Sequence, residues 1–180
     1  MKQSIWIGWD PAESDAYNVA LRSMLRRMGE SIPVHKLSLA NLQDRGWYAR
    51  PTHKNENRLI DELSARDDYD GSISTEHAIA RFLVPRCAIE GWALFVDGDI
   101  IVRDDICQIF DGLDPAKAVY CVKHRYEPVD NIKKAGQVQT RYERKNWSSV
   151  MVFNCDHPSN GRLSWRDFNT KPGRDLHAFC

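Results

Sequence analysis

Apolar residues fall along this chain in short runs, and their spacing alternates between strand and helix periods. Ile5-Trp6-Ile7-Gly8-Trp9 is a near-continuous apolar run and predicts a buried strand. It ends at Asp10-Pro11-Ala12-Glu13. There Asp10 suits a helix N-cap, Pro11 the first helical position and Glu13 the acid of a capping box. Tyr17, Ala20, Leu21, Met24, Leu25 and Met28 then recur at helical spacing as one apolar stripe, with Gly29 as the stop. Pro33-Val34-His35-Lys36-Leu37 reads as a second strand, so the chain opens β-α-β, the signature of parallel pairing with helices packed on a sheet.

Residues 39–73 are polar and irregular, and predict a binding loop or a stretch holding a short helix. A second helix is expected from Ser74, with Ala78, Ile79, Phe82 and Leu83 on its buried side. Arg81 lies ~130° from that side and points outward or along a cleft, and Pro85 ends or kinks the helix. Residues 92–96 form the clearest interior strand, and Asp97-Gly98-Asp99 follows directly. Ile106, Ile109 and Phe110 suit one or two helical turns. Residues 118–122 and 149–153 read as further strands, separated by a polar, basic stretch over 124–146. After Asn154 the pattern is weak. The expected class is α/β, a mixed, mostly parallel sheet flanked by helices.

A chain of 180 residues suits one domain over 1–180 with a substantial core. Its formal net charge of zero argues against nucleic acid or an anionic membrane as the main partner. No stretch approaches the ~18 apolar residues of a transmembrane segment and the start has no apolar signal core, so the expected location is cytoplasmic. The five cysteines are dispersed, form no C-x-x-C pair and read as reduced thiols, mostly core filler.

Asp97-Gly98-Asp99 is the main candidate for chemistry. Carboxylates at the carboxyl end of a buried strand sit where open α/β sheets bind ligands. Mg²⁺ and Mn²⁺ take oxygen ligands and bring substrate phosphates with them, and Gly98 lets the backbone approach a ligand closely. Two turn-forming acids would look the same, and the chain holds a second such triplet, Asp68-Tyr69-Asp70, with no strand before it. Asp10 is a cap, a ligand contact, or both. Arg81 is either a solvated arginine or a planar fork for a diphosphate. His77, His124, His157 and His177 are scattered and read as ordinary, partly exposed histidines. The phosphate-cradling and nucleophile-elbow glycine motifs are absent. The basic stretch reads as a solvated loop, or as a flank for a phosphate or acidic acceptor.

Taken in order, these segments resemble the GT-A glycosyltransferases of the family 8 type. Residues 5–10 are similar to the first strand and uridine-contacting turn. Residues 74–85 resemble the helix whose arginine reaches the donor diphosphate. Residues 94–102 are similar to the strand and D-x-D motif that bind the cation, and residues 147–154 to the strand lining the sugar pocket. The resemblance implies a UDP-sugar donor, a saccharide or other hydroxyl acceptor, and transfer with retention. Asp97 and Asp99 would hold Mn²⁺ or Mg²⁺, with Asp99 the firmer ligand. Arg81 would add charge at the diphosphate, Gly8, Trp9 and Asp10 would meet the nucleoside, and Ser148 and Ser149 would face the transferred sugar. Where the family commonly has Asn-Ala-Gly this chain has Trp147-Ser148-Ser149, which leaves the sugar unassigned. The family also continues past this length to a histidine metal ligand that nothing near His177 matches, so the C-terminal part is expected to be incomplete. Two other readings stay open. One is a non-catalytic nucleotide-sugar-binding module. The other is a haloacid-dehalogenase-like phosphohydrolase with Asp97 as nucleophile.

Overall fold

The computed structural model describes residues 1–55, 58–67, 69–123 and 146–177. Asp68 of the second acidic triplet, nearly all of the basic stretch and Cys180 lie outside the described residues. β1 (Gln3–Gly8), β2 (Val34–Leu37), β6 (Trp92–Val96), β7 (Val119–Lys123) and β8 (Asn146–Asn154) form a five-stranded sheet in the order β2-β1-β6-β8-β7. β1 pairs in parallel with β2 and β6, whereas β8 runs antiparallel to both β6 and β7. The sheet is therefore mixed, with β8 alone reversed, as the α/β pattern led one to expect.

Every residue of β6 is buried, because both faces of the sheet are covered. Alternation sends Ile5, Ile7, Leu94 and Val96 to one side, against Tyr17 and Met24 of α1 (Ser14–Leu25). Ala93, Phe95, Met151 and Phe153 face the other side, against Ile79, Phe82 and Leu83. Each such large apolar side chain contributes roughly 1.5–3 kcal/mol on burial.

The predicted stripe on α1 is only partly right. The helix stops at Leu25, four residues before Gly29, and Leu25 is 55% exposed. Ser23 turns inward instead, because the buried Val102 N–H needs an acceptor; its hydroxyl accepts that bond at 2.9 Å and donates to the Ala20 carbonyl. At the helix entry Asp10 accepts from the Ala12 N–H at 2.8 Å, as a cap should, with Pro11 next. It caps a short 3₁₀ turn over Pro11–Glu13, so α1 itself starts later, behind Glu13, with no side-chain cap; the expected capping box does not form.

The polar span 39–73 holds the short helix α2 (Leu39–Asp44), as expected, and also an antiparallel sheet. That sheet joins β3 (Thr52–Asn55), β4 (Arg58–Asp61) and β5 (Ser72–Ile73) in the order β3-β4-β5. Its anchor is polar. Arg50 and Asp61 form a fully buried bidentate pair, Nε to Oδ1 at 3.0 Å and Nη2 to Oδ2 at 2.7 Å. Arg50 Nη1 also donates to the carbonyls of Phe168 and Lys171. The weakly patterned tail forms α5 (Pro158–Arg162), α6 (Trp165–Thr170) and α7 (Gly173–His177), and α6 opens on a Ser164–Asp167 capping box.

The second helix begins at His77 rather than Ser74. It runs as α3 (His77–Ala80), a 3₁₀ turn over Arg81–Leu83, and α4 (Val84–Ala88). Pro85 lies in the first turn of α4, where its missing N–H costs little, so it does not end the helix; the tightened 3₁₀ turn stands before it. Residues 77–85 are buried throughout, Arg81 included. Beyond α4, Ile89 sits at φ 72 and ψ −52, and the Glu90 N–H bonds the Ala88 carbonyl across it at 2.9 Å. This is a strained γ-turn, closed around a β-branched residue. Among the described residues no helix is long and apolar enough to cross a membrane.

Candidate functional site

The crevice at the carboxyl ends of β1 and β6 is assembled by strand pairing. The Ile7–Val96 register sets Gly8 beside Asp97, and the Asp97 N–H bonds the Ser149 carbonyl at 2.9 Å across to β8. The two glycines are required by close approach. A Cβ on Gly98 would lie 2.5 Å from the Gly8 carbonyl oxygen, and a Cβ on Gly8 would lie 2.6 Å from the His77 ring.

Asp97 is the hub. Its Oδ1 lies 3.1 Å from Arg81 Nη2 and 3.3 Å from His77 Nε2. Neither contact is aligned as a hydrogen bond, so this buried oxygen keeps an open acceptor position among the described residues. Burial alone would raise the Asp97 carboxyl, but His77, Arg81 and Ser149 together hold it below its ordinary value. Arg81 is 6% exposed and points along the cleft, the second of the two orientations expected of it. Its Nη1 donates to the carbonyl oxygen and hydroxyl of Ser148 at 2.7 and 2.9 Å, and its guanidinium lies 5.0 Å from the Phe95 ring centre. Burial pulls the guanidinium below its usual range, opposed by Asp97 and Asp99.

The other candidates lie around this hub. Asp99 is exposed. Trp9 is half-buried under Lys36, whose Nζ is 4.2 Å from the indole centre. Asp10 both caps and ties: its Oδ2 accepts from the Glu76 N–H at 2.8 Å, fixing the end of β1 to the start of α3. A cavity of ≈ 330 Å³ opens beside Asp10, walled by Lys54 and Arg58 of the small sheet and by Thr75. The Thr75 hydroxyl is buried without a hydrogen-bond partner among the described residues.

His77 was misjudged from sequence. It is 2% exposed and belongs to the hub. The available signal was its place four residues before Arg81, which puts both on one helix face. Among the described residues no three His, Cys, Asp or Glu side chains converge as a metal cage. The donor set suits a hard cation held by one or two carboxylates and completed by phosphate oxygens and water, and Asp97 Oδ1 has acceptor capacity to spare.

A mixed sheet with a single reversed strand, flanked by helices, is consistent with a GT-A-like, Rossmann-type fold. Solved structures bear this out. The chain superposes on a structure described as the WbbM bifunctional glycosyltransferase with a TM-score of 0.57, at 14% identity over 99% of this chain and 37% of that one. On mouse xyloside xylosyltransferase 1 the TM-score is 0.50, at 12% identity over 99% and 81% of the two chains. In sequence it is 36% identical over 176 residues to Protein CDI of Arabidopsis thaliana. That match takes in 97% of this chain and 61% of the relative, so the chain spans about three fifths of that protein's length. No family model matches the chain.

Proposed function

We propose that residues 1–180 form one nucleotide-sugar-binding domain of a metal-dependent glycosyltransferase of the family 8 type, acting in the cytoplasm on a UDP-sugar and a hydroxyl acceptor with retention. The observation that carries the reading is the convergence of Arg81, Asp97 and Ser148, from three separate segments, on one crevice of this fold. Arg81 is held with its fork fixed and offers charge to a diphosphate. Asp97 and Asp99 would hold Mn²⁺ or Mg²⁺, which when bound neutralises charge on the departing diphosphate. Ser148 and Ser149 face the sugar. Gly8, Trp9 and Asp10 meet the nucleoside, with the cavity beside Asp10 of a size to take its base. Both Asp10 oxygens already accept backbone bonds, so a nucleoside contact would use their remaining lone pairs. An oxocarbenium-like transition state needs placed charge more than a strong base, and this crevice supplies placed charge.

Titration calorimetry of UDP and UDP-sugars, with and without Mn²⁺, on the wild type and Asp99→Asn tests the proposal. Mn²⁺-dependent binding that Asp99→Asn weakens is expected. Absent or metal-independent binding would overturn it. Binding without transfer or donor hydrolysis would leave a binding module. Phosphate-ester hydrolysis lost in Asp97→Asn would point to a phosphohydrolase.

A further inference from the structure

We infer that His77 is a positioning residue for Asp97, one that keeps the carboxylate from collapsing onto Arg81. The inference rests on the donor-site reading above and adds a residue to it. His77 and Arg81 reach the same oxygen of Asp97, at 3.3 and 3.1 Å. A guanidinium and a carboxylate left to themselves favour a two-bond fork, which occupies both oxygens. With His77 at Oδ1, Arg81 makes its aligned bonds to Ser148 instead, and the Asp97 carboxylate stays available to a ligand.

Three further observations fix the place of the ring. The ring is wedged at the crevice floor, so close to β1 that only glycine fits at position 8. It is 2% exposed, yet its Nδ1 has no hydrogen-bond partner among the described residues. An ionised Asp97 only accepts, so an attractive contact at 3.3 Å is served by a hydrogen on Nε2.

Two measurements test this. The first needs no ligand: two-bond ¹H–¹⁵N correlation of the His77 ring. A hydrogen on Nε2 is expected, and a ring carrying hydrogen on Nδ1 alone overturns the proposal. The second compares Mn²⁺-supported UDP affinity in wild type, His77→Gln and His77→Met. Glutamine keeps a donor near the Nε2 position, and methionine keeps bulk without one. His77→Met is expected to lose roughly 10–100-fold, as for other groups that orient metal ligands, and His77→Gln to recover most of it. Equal affinity in all three sinks the role of His77 while leaving the donor site standing. No Mn²⁺-supported binding by the wild type sinks the donor site, and the ring correlation still decides the contact. If His77→Met fails to fold, the ring correlation on the wild type and the affinity of His77→Gln decide the proposal.

Discussion

Arg81 Nη2 and Asp97 Oδ1 meet at 3.1 Å at the junction of the helical segment and β6, and the same guanidinium clasps the start of β8 through Ser148. The contact is as much a structural joint as a candidate binding feature. Arg81→Met leaves a largely buried carboxylate with one partner fewer and is expected to destabilise by about 3 kcal/mol. The low end of the range applies because the Asp97 side chain is 18% exposed. Arg81→Lys keeps charge but not the fork, and should fall between wild type and Arg81→Met in urea denaturation. If methionine equals wild type, the joint carries no stability.

Gly98 and Gly8 should respond differently to a methyl group. At Gly98 the new carbon meets a backbone oxygen at 2.5 Å, which cannot move without parting β1 from β6. At Gly8 it meets side-chain atoms, the His77 ring at 2.6 Å, and not backbone. Gly98→Ala is expected to cost at least 1–3 kcal/mol, the range for overpacking, and more than Gly8→Ala. Thermal denaturation of the pair gives the order, and the reverse order would contradict the packing.

Ile89 is 78% exposed, so its side chain contributes little burial, while its γ-turn backbone is strained. Relief of such strain amounts to about 1–3 kcal/mol, against about 1 kcal/mol for the extra freedom glycine brings to the unfolded chain. Ile89→Gly should therefore stabilise by about 1 kcal/mol, read as a higher urea midpoint at unchanged slope.

Asp105 accepts from the Gly29 and Cys107 N–H groups, and those bonds hold its carboxyl below the ordinary carboxylate value. A lowered folded-state value means the contribution is complete above the unfolded carboxylate pKa and fades as pH falls through the folded one. Asp105→Ala should thus be less stable than wild type at neutral pH and converge with it in acid. A gap that persists well below the carboxylate range would assign the effect to packing instead.

How much was legible follows from what signals each element. Residues 92–96 are buried on both faces, and in Ile5-Trp6-Ile7 the two isoleucines are buried and Trp6 is half-buried, so their apolar runs announce them. β3 is mostly exposed and reads Thr-His-Lys-Asn, so period-two hydrophobicity is absent; pairing with β4 makes it a strand. Leu25 matches the stripe on α1, but it is the last residue of the helix and exposed, and Ser23 answers a backbone group from another segment. In the crevice, Asp97 and Arg81 could be picked out by position along the chain, and Ser148 only through the resemblance. The spacing of His77 to Arg81 pointed to a shared helix face, but not to Asp97, which follows a strand twenty residues on, and only the packed fold brings those two together.

The Arg50–Asp61 pair has a consequence for how this molecule opens. Arg50 reaches the carbonyls of Phe168 and Lys171, 118 and 121 residues away. If α6 were to lift off while the small sheet stayed docked, a guanidinium in the interior would lose half its acceptors, a far less favourable state than having both pieces in place or both released. The hairpin beside Asp10 and α6 are therefore expected to exchange with solvent as one cooperative unit, not two. The wall of the crevice is latched from the far side of the chain, and any motion that widens it there must undo that latch.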